Sequence, residues 1–163
     1  MAKIERKYLA HFINTATGST TASYVRLGKD LEEYNAELSA QVDKTKNILG
    51  ETSVLISSYE KSGSVEPYYA EKDDALFTRL QGIIDNSSVL DDCKTDIVEV
   101  KLWETETEGA YPAVKETAVI EVTSYGGDST GYQIPFNIHY TGEKETGTFN
   151  INTKTFTPTS SGV

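Results

Sequence analysis

Three features of this sequence predict a mainly β domain, a sandwich or barrel of antiparallel strands with one flanking amphipathic helix. In residues 132–140, Tyr132, Ile134, Phe136, Ile138 and Tyr140 alternate with Gln133, Pro135, Asn137 and His139, the period of two that gives a strand one buried face. Residues 117–125 behave alike, with Ala118, Ile120 and Val122 opposite Val119, Glu121, Thr123 and Tyr125. Gly126, Gly127, Asp128 and Gly131 separate the two runs, so an antiparallel pair with a flexible connection is expected. The third feature is an apolar stripe at helical spacing, Leu76, Phe77, Leu80, Ile83 and Ile84, which must lie against the sheet.

Taken in order, Lys3, Arg6 and Lys7 precede Tyr8, Leu9, Phe12 and Ile13, a first strand leading into a loop that contains Gly18. Residues 23–27 form a second. Residues 31–49 carry two patterns: Leu31, Tyr34, Leu38 and Val42 match a helix, while Tyr34, Ala36, Leu38, Ala40 and Val42 alternate with Asn35, Glu37, Ser39, Gln41 and Asp43. The strand is preferred, with one apolar face, one wholly polar face and an exposed loop over residues 44–51. Residues 52–59 and 65–69 read as strands separated at Ser62 and Gly63. Asp73 or Asp74 caps a helix over about residues 73–85 by accepting first-turn amides, and Asn86, Ser87 and Ser88 end it. Residues 95–104 form a strand with both faces partly covered, and residues 105–109 an exposed turn. Residues 142–147 turn the chain toward a last strand near 155–157. One domain over residues 1–157 and a flexible tail over 158–163 are expected.

With 163 residues the chain has one domain's worth of core. It carries 15 Lys and Arg against 25 Asp and Glu, a net charge of −10, which repels phosphate backbones and argues against ordinary DNA binding. The single cysteine, Cys93, excludes an internal disulfide framework. Residues 1–12 have no apolar leader core, and no apolar run approaches the ~18 residues of a membrane span, so a soluble cytoplasmic protein with no membrane partner is expected.

No chemistry assembles along the chain. His11 and His139 are far apart in predicted strands, without metal-ligand spacing. Asp91, Asp92 and Cys93 read as a solvated turn. The segments GGDSTG and TGEKETG lack the Gly-Lys-Ser/Thr ending of a phosphate loop, and the ten tyrosines fit packing. No nucleophile, base and oxyanion site comes together, so neither an enzyme nor a cofactor is expected. Pro135, inside the strongest strand, cannot donate a ladder bond, which predicts an edge or a bulge there. An edge flanked by apolar strands invites pairing with another chain.

Five segments, KNILGETSV (46–54), SVEPYYA (64–70), DALFTRLQGIIDN (74–86), DIVEVKLWE (96–104) and EVTSYGGDSTGYQIPFNIHYTG (121–142), resemble the major tail tube proteins of long-tailed, non-contractile bacteriophages and related prophages. The likeness runs from about Tyr34 onward. It implies hexameric rings that stack into a hollow tube, with strands of neighbours joined into an inner barrel and loops or arms bridging rings. A tape-measure protein fills the bore during assembly, a terminator ends polymerisation, and genomic DNA passes without specific binding. The implied location is the virion tail, assembled in the host cytoplasm.

Under that resemblance a polar, acidic bore would give DNA no grip. The candidates to face it are Asn35, Glu37, Ser39, Gln41 and Asp43, then Glu121 and Thr123. Candidates for subunit or ring contact are Lys44, Lys46, Asn47, Ile48, Leu49, Glu51 and Pro135. Two alternatives stay open: a tube subunit of a contractile tail, bacteriocin or type VI-like machine, and a monomeric adhesin or carbohydrate-binding β domain.

Overall fold

The computed structural model describes residues 2–17, 21–31 and 33–159; the expected loop glycine, Gly18, lies outside them. In chain order the strands are β1 (Leu9–Asn14), β2 (Tyr24–Arg26), β3 (Ala36–Glu37), β4 (Ala40–Lys46), β5 (Thr52–Tyr59) and β6 (Ser62–Val65). The helix α1 (Ala75–Asn86) follows, then β7 (Lys94–Lys101), β8 (Ala110–Val122), β9 (Gly126–Asp128), β10 (Gly131–Gln133), β11 (Phe136–Asn150) and β12 (Thr155–Pro158). The main sheet has the order β2-β1-β7-β8-β11-β6-β3, with β12 on the far half of β11, and every pairing is antiparallel. The fold is thus mostly β with one flanking helix, the expected class.

Alternation along the central strands builds two apolar clusters on opposite faces of the sheet. Ile13 of β1 and Ile97 of β7 join Ile120, Phe136 and Ile138 under the helix residues Leu76, Leu80 and Ile83. Their neighbours Phe12, Val98 and Val100 instead meet Ala113, Tyr24 and Phe149. Phe12 and Phe149 lie 4.4 Å apart between ring centroids. Burying each of these large side chains contributes roughly 2–3 kcal/mol.

Helix α1 begins where a carboxylate can satisfy its free amides: Asp74 Oδ1 accepts the Leu76 N–H at 3.0 Å. It ends at Ser87, whose left-handed backbone turns the chain. Arg79, at i+3 from Leu76, is buried with the apolar stripe, and its guanidinium donates to the carbonyls of Ala16, Asp92 and Lys94. It fastens the segment after β1 to the start of β7.

Several boundaries differ from expectation. The strand over 132–140 breaks into β10 and β11 at Ile134 and Pro135, and the Pro135 carbonyl accepts both the N–H and the hydroxyl of Thr123. Residues after the break are paired on both sides, Asn137 with Glu121 and with Ser64. The proline therefore interrupts a strand that lies inside the sheet and marks no edge within the subunit. Residues 142–147 form no turn; β11 runs through them, absorbing Gly142 at φ +90° in a register shift against β8 between Tyr140 and Lys144. Ser62 and Gly63 sit inside β6, while 66–69 leave the sheet apart from a bridge from Tyr69 to Gln133. A Cβ on Gly63 would come within 2.5 Å of the Tyr34 hydroxyl, so glycine is the residue that lets this buried ring lie on the strand. Residues 102–104 turn out of β7. At the C-terminus pairing continues through Pro158 and Thr159 donates to the Thr146 carbonyl at 2.9 Å, two residues into the expected tail; residues 160–163 lie outside the described residues.

Candidate functional site

Within the ambiguous stretch over 31–49, residues 36–37 and 40–46 are strand, divided at Leu38 and Ser39, where Ser39 takes φ +44°. Beyond that break β4 and β5 form a separate two-stranded arm, paired from Ala40↔Tyr59 to Lys46↔Thr52. Of the expected loop over 44–51, Lys44–Lys46 continue the ladder and residues 47–51 form the exposed turn. Asn47 organises it, its side-chain oxygen accepting the N–H groups of Leu49 and Glu51 at 2.9 and 3.0 Å. Gly50 supplies the positive φ of +82°.

Every residue of β4 and β5 is exposed. The apolar face expected to be buried is therefore covered only at its start: Tyr34 is buried and Ala36 half-buried, but Leu38, Ala40 and Val42 are open to solvent. Register places Val42, Val54 and Ile56 on one face of the arm and Leu55 on the other, while Ile48 and Leu49 crown the tip at 102% and 75% exposure. Eight of the fifteen large exposed apolar side chains among the described residues fall within residues 38–59. A lone two-stranded ribbon is marginal in water, and an apolar one is a surface waiting for a partner.

The arm is held at its root, where each leg enters the core. On the incoming leg the Tyr34 hydroxyl hydrogen-bonds the Tyr140 hydroxyl at 2.7 Å, and its ring meets His11 edge-on at 4.9 Å. Burial pushes the Tyr34 phenol up to about 12 and raises that of Tyr140 as well, so both remain neutral donors. On the outgoing leg Lys61 pairs with buried Glu116 at 2.9 Å and lies 4.4 Å from the Tyr140 ring centroid. The second Glu116 oxygen accepts the Gly142 N–H at 3.2 Å, which places the β11 irregularity opposite this carboxylate. Behind Tyr34, His11 contacts Glu99 at 3.2 Å.

The seven polar candidates are all exposed, but the fold divides them. Asn35 and Glu37 share a face of the β3-β6-β11-β8 sheet with Ser62, Ser64, Asn137, His139 and Glu121. Side chains link this face laterally: Ser64 donates to Asn137 at 2.8 Å, Asn137 to Glu121 at 3.2 Å, and His139 contacts Glu121 at 2.7 Å. The His139 ring and the Asn137 amide hold the Glu121 carboxyl below its usual range. Thr123 follows Glu121 past the end of β8, bonded to Pro135. Ser39, Gln41 and Asp43 lie beyond the break, toward and along the arm. Among the contact candidates, Lys44, Lys46, Asn47, Ile48, Leu49 and Glu51 are on the arm and exposed, whereas Pro135 is half-buried in the sheet. The apolar residues Val54, Leu55, Ile56 and Tyr59 were not among the candidates, because their pattern is that of any core strand.

Elsewhere, Cys93 is buried, its thiol donating to the Ser88 carbonyl and pushed up in pKa by burial. Among the described residues no group of three or more His, Cys, Asp and Glu gathers as metal ligands would.

Glu99 gives the root a pH signature. The His11 hydrogen bond holds its carboxyl below the usual glutamate range against the opposing effect of burial. A carboxyl lowered on folding contributes stability above its unfolded pKa, about 4.3, and loses it as pH falls through the folded value. Thermal melts of wild type and Glu99→Gln should therefore differ most above the unfolded pKa and converge as pH falls through the lower folded pKa of Glu99; a constant gap would remove this role.

No protein-family model matches the sequence, and no curated protein matches it. Among solved structures, the hybrid solid-state NMR and cryo-EM structure of the SPP1 tail tube superposes with a TM-score of 0.59 at 17% identity, covering 88% of this chain and 78% of that one. At that identity the two chains share a fold.

Proposed function

We propose that this chain is the structural subunit of a bacteriophage tail tube, self-assembling into stacked hexameric rings whose bore delivers DNA. The observation that carries this reading is the β4-β5 arm, a wholly exposed hairpin with apolar side chains on both faces, on a fold shared with the SPP1 tail tube. Its natural partner is another copy of the chain, since strand ribbons with open edges and apolar faces pair readily with further strands. In this reading Lys44, Lys46, Asn47, Ile48, Leu49 and Glu51 engage a neighbouring subunit or ring. The virion tail is then its location, after assembly in the host cytoplasm beside a tape-measure protein and a terminator.

The polar face carrying Asn35, Glu37 and Glu121 is assigned to the bore, with Ser39, Gln41, Asp43 and Thr123 continuing it. Fixed carboxylates there repel DNA phosphates and offer no cation to hold them. Transit then proceeds without specific binding.

Replacing residues 41–58 by a short turn should leave a folded subunit, with an unchanged core by circular dichroism and thermal unfolding, that no longer polymerises. Polymers of normal length from the shortened protein would refute the arm's role. Reversing the bore charge with Glu37→Lys and Asp43→Lys should keep assembly but slow DNA ejection several-fold in virions carrying the variant; unaltered ejection kinetics would exclude these residues from the bore.

A further inference from the structure

On a chain of net charge −10, positive charge concentrates in one cleft. It has a volume of about 610 Å³ and lies beside the start of β1 and the end of β2. Arg6, Lys7, Arg26 and Lys29 line it over an apolar floor that includes Leu27 and Leu31, and none of its lining residues is a carboxylate. Arg6 donates to the carbonyls of Leu9 and Tyr34 at 2.5 and 3.1 Å, and Arg26 to that of Lys7 at 2.9 Å. These bonds fix both guanidinium groups without neutralising them, and each keeps N–H donors for an incoming anion. Lys7 and Lys29 pair with Glu5 and Glu71 outside the cleft, and Asp30 and Asp74 also act on Lys29, but both lysines are more than half exposed. Such pairs are worth about 0–1 kcal/mol and exchange partners readily.

The chain also carries the complementary element. The β7-β8 connection over residues 103–108 is exposed throughout and presents Glu104, Glu106 and Glu108 with no cation among them. Glu106 interacts with Tyr111, and none of the three glutamates forms an ion pair among the described residues. Beside them Trp103, the only tryptophan, is 40% exposed, the residue type that most often anchors an interface when its partner supplies an apolar floor and arginines.

From this juxtaposition we infer that the Trp103–Glu108 loop of one subunit docks in the Arg6/Lys7/Arg26/Lys29 cleft of a second copy, glutamates on the cations and Trp103 on the apolar floor. Two copies at −10 repel in most orientations, and this docking sets opposite charges against each other. The loop borders the cleft within one subunit, Leu102 donating to the Tyr8 carbonyl at 2.8 Å, so the docking either closes a reciprocal pair or repeats from copy to copy into a ring or fibre. The inference rests on the reading of the chain as a self-assembling subunit and adds to it a contact that does not use the arm.

Charge reversal on each side tests it by sedimentation velocity. The loop variant Glu104→Lys/Glu108→Lys moves the net charge from −10 to −6, and the cleft variant Lys7→Glu/Lys29→Glu moves it to −14. Each variant alone should lose at least about tenfold in association. An equimolar mixture should regain it, because each reversed surface then meets its opposite in an alternating assembly, and Trp103 fluorescence should shift in the mixture only. If the loop variant associates as well as or better than wild type, general relief of repulsion explains the result and the docking is wrong. A mixture that stays dissociated overturns it equally. In both cases an assembling wild type that fails only when the arm is removed leaves the tube reading standing, whereas a wild type that remains monomeric defeats both.

Discussion

The arm has no packing of its own, so everything it does depends on how its root is held. Lys61 and Glu116 form the critical pair: the Glu116 carboxylate is 4% exposed and the Lys61 ammonium 17%. Removing one member of a pair this buried leaves an unmatched charge and typically costs 3–5 kcal/mol. The pair joins Lys61, just after the arm, to the middle of β8, while the Tyr34–Tyr140 hydrogen bond joins the segment that leads through β3 into the arm to β11. Gly142 turns its amide to the same carboxylate, so the longest strand bends where the arm is fastened. A ribbon that could otherwise swing is thereby given a defined direction from a rigid sheet.

Charge and apolar surface are separated on this molecule, and the separation suits self-assembly. The acidic excess is spread over solvent faces, including the laterally bonded polar face of β3, β6, β11 and β8. Apolar surface is concentrated on the arm, and positive charge beside the start of β1. On the proposed reading, broad repulsion would keep single subunits dispersed while local attractions select one way for copies to meet.

Much of the subunit was legible in the sequence because its signals are local. The period of two marks Ile134, Phe136 and Ile138 as buried, although Tyr132, on the far side of the break, is 39% exposed; the stripe on α1 marks its buried face, and Asp74 sits at the cap. What was not legible depends on partners distant in sequence. Leu38, Val42, Val54 and Ile56 alternate like core residues, and nothing in their order tells that no second layer covers the ribbon they form. Gly142 looks like a turn residue and is a bulge, because Glu116 stands opposite it. Arg79 could have been placed inside by its spacing from Leu76 and Ile83, but its carbonyl partners, Ala16, Asp92 and Lys94, come from two segments distant from the helix's own turns. Among the candidate residues, exposure followed from polarity, whereas their division between the sheet face and the arm follows the break at Leu38 and Ser39, where Ser39 takes a positive φ.

The proposed function requires that isolated subunits suffice to build a hollow polymer. Electron microscopy of the purified full-length protein, concentrated over a range of salt, tests it most directly. The account predicts rings or tubes with a central channel and a regular axial repeat. Particles of single-subunit size at every concentration and salt would contradict it.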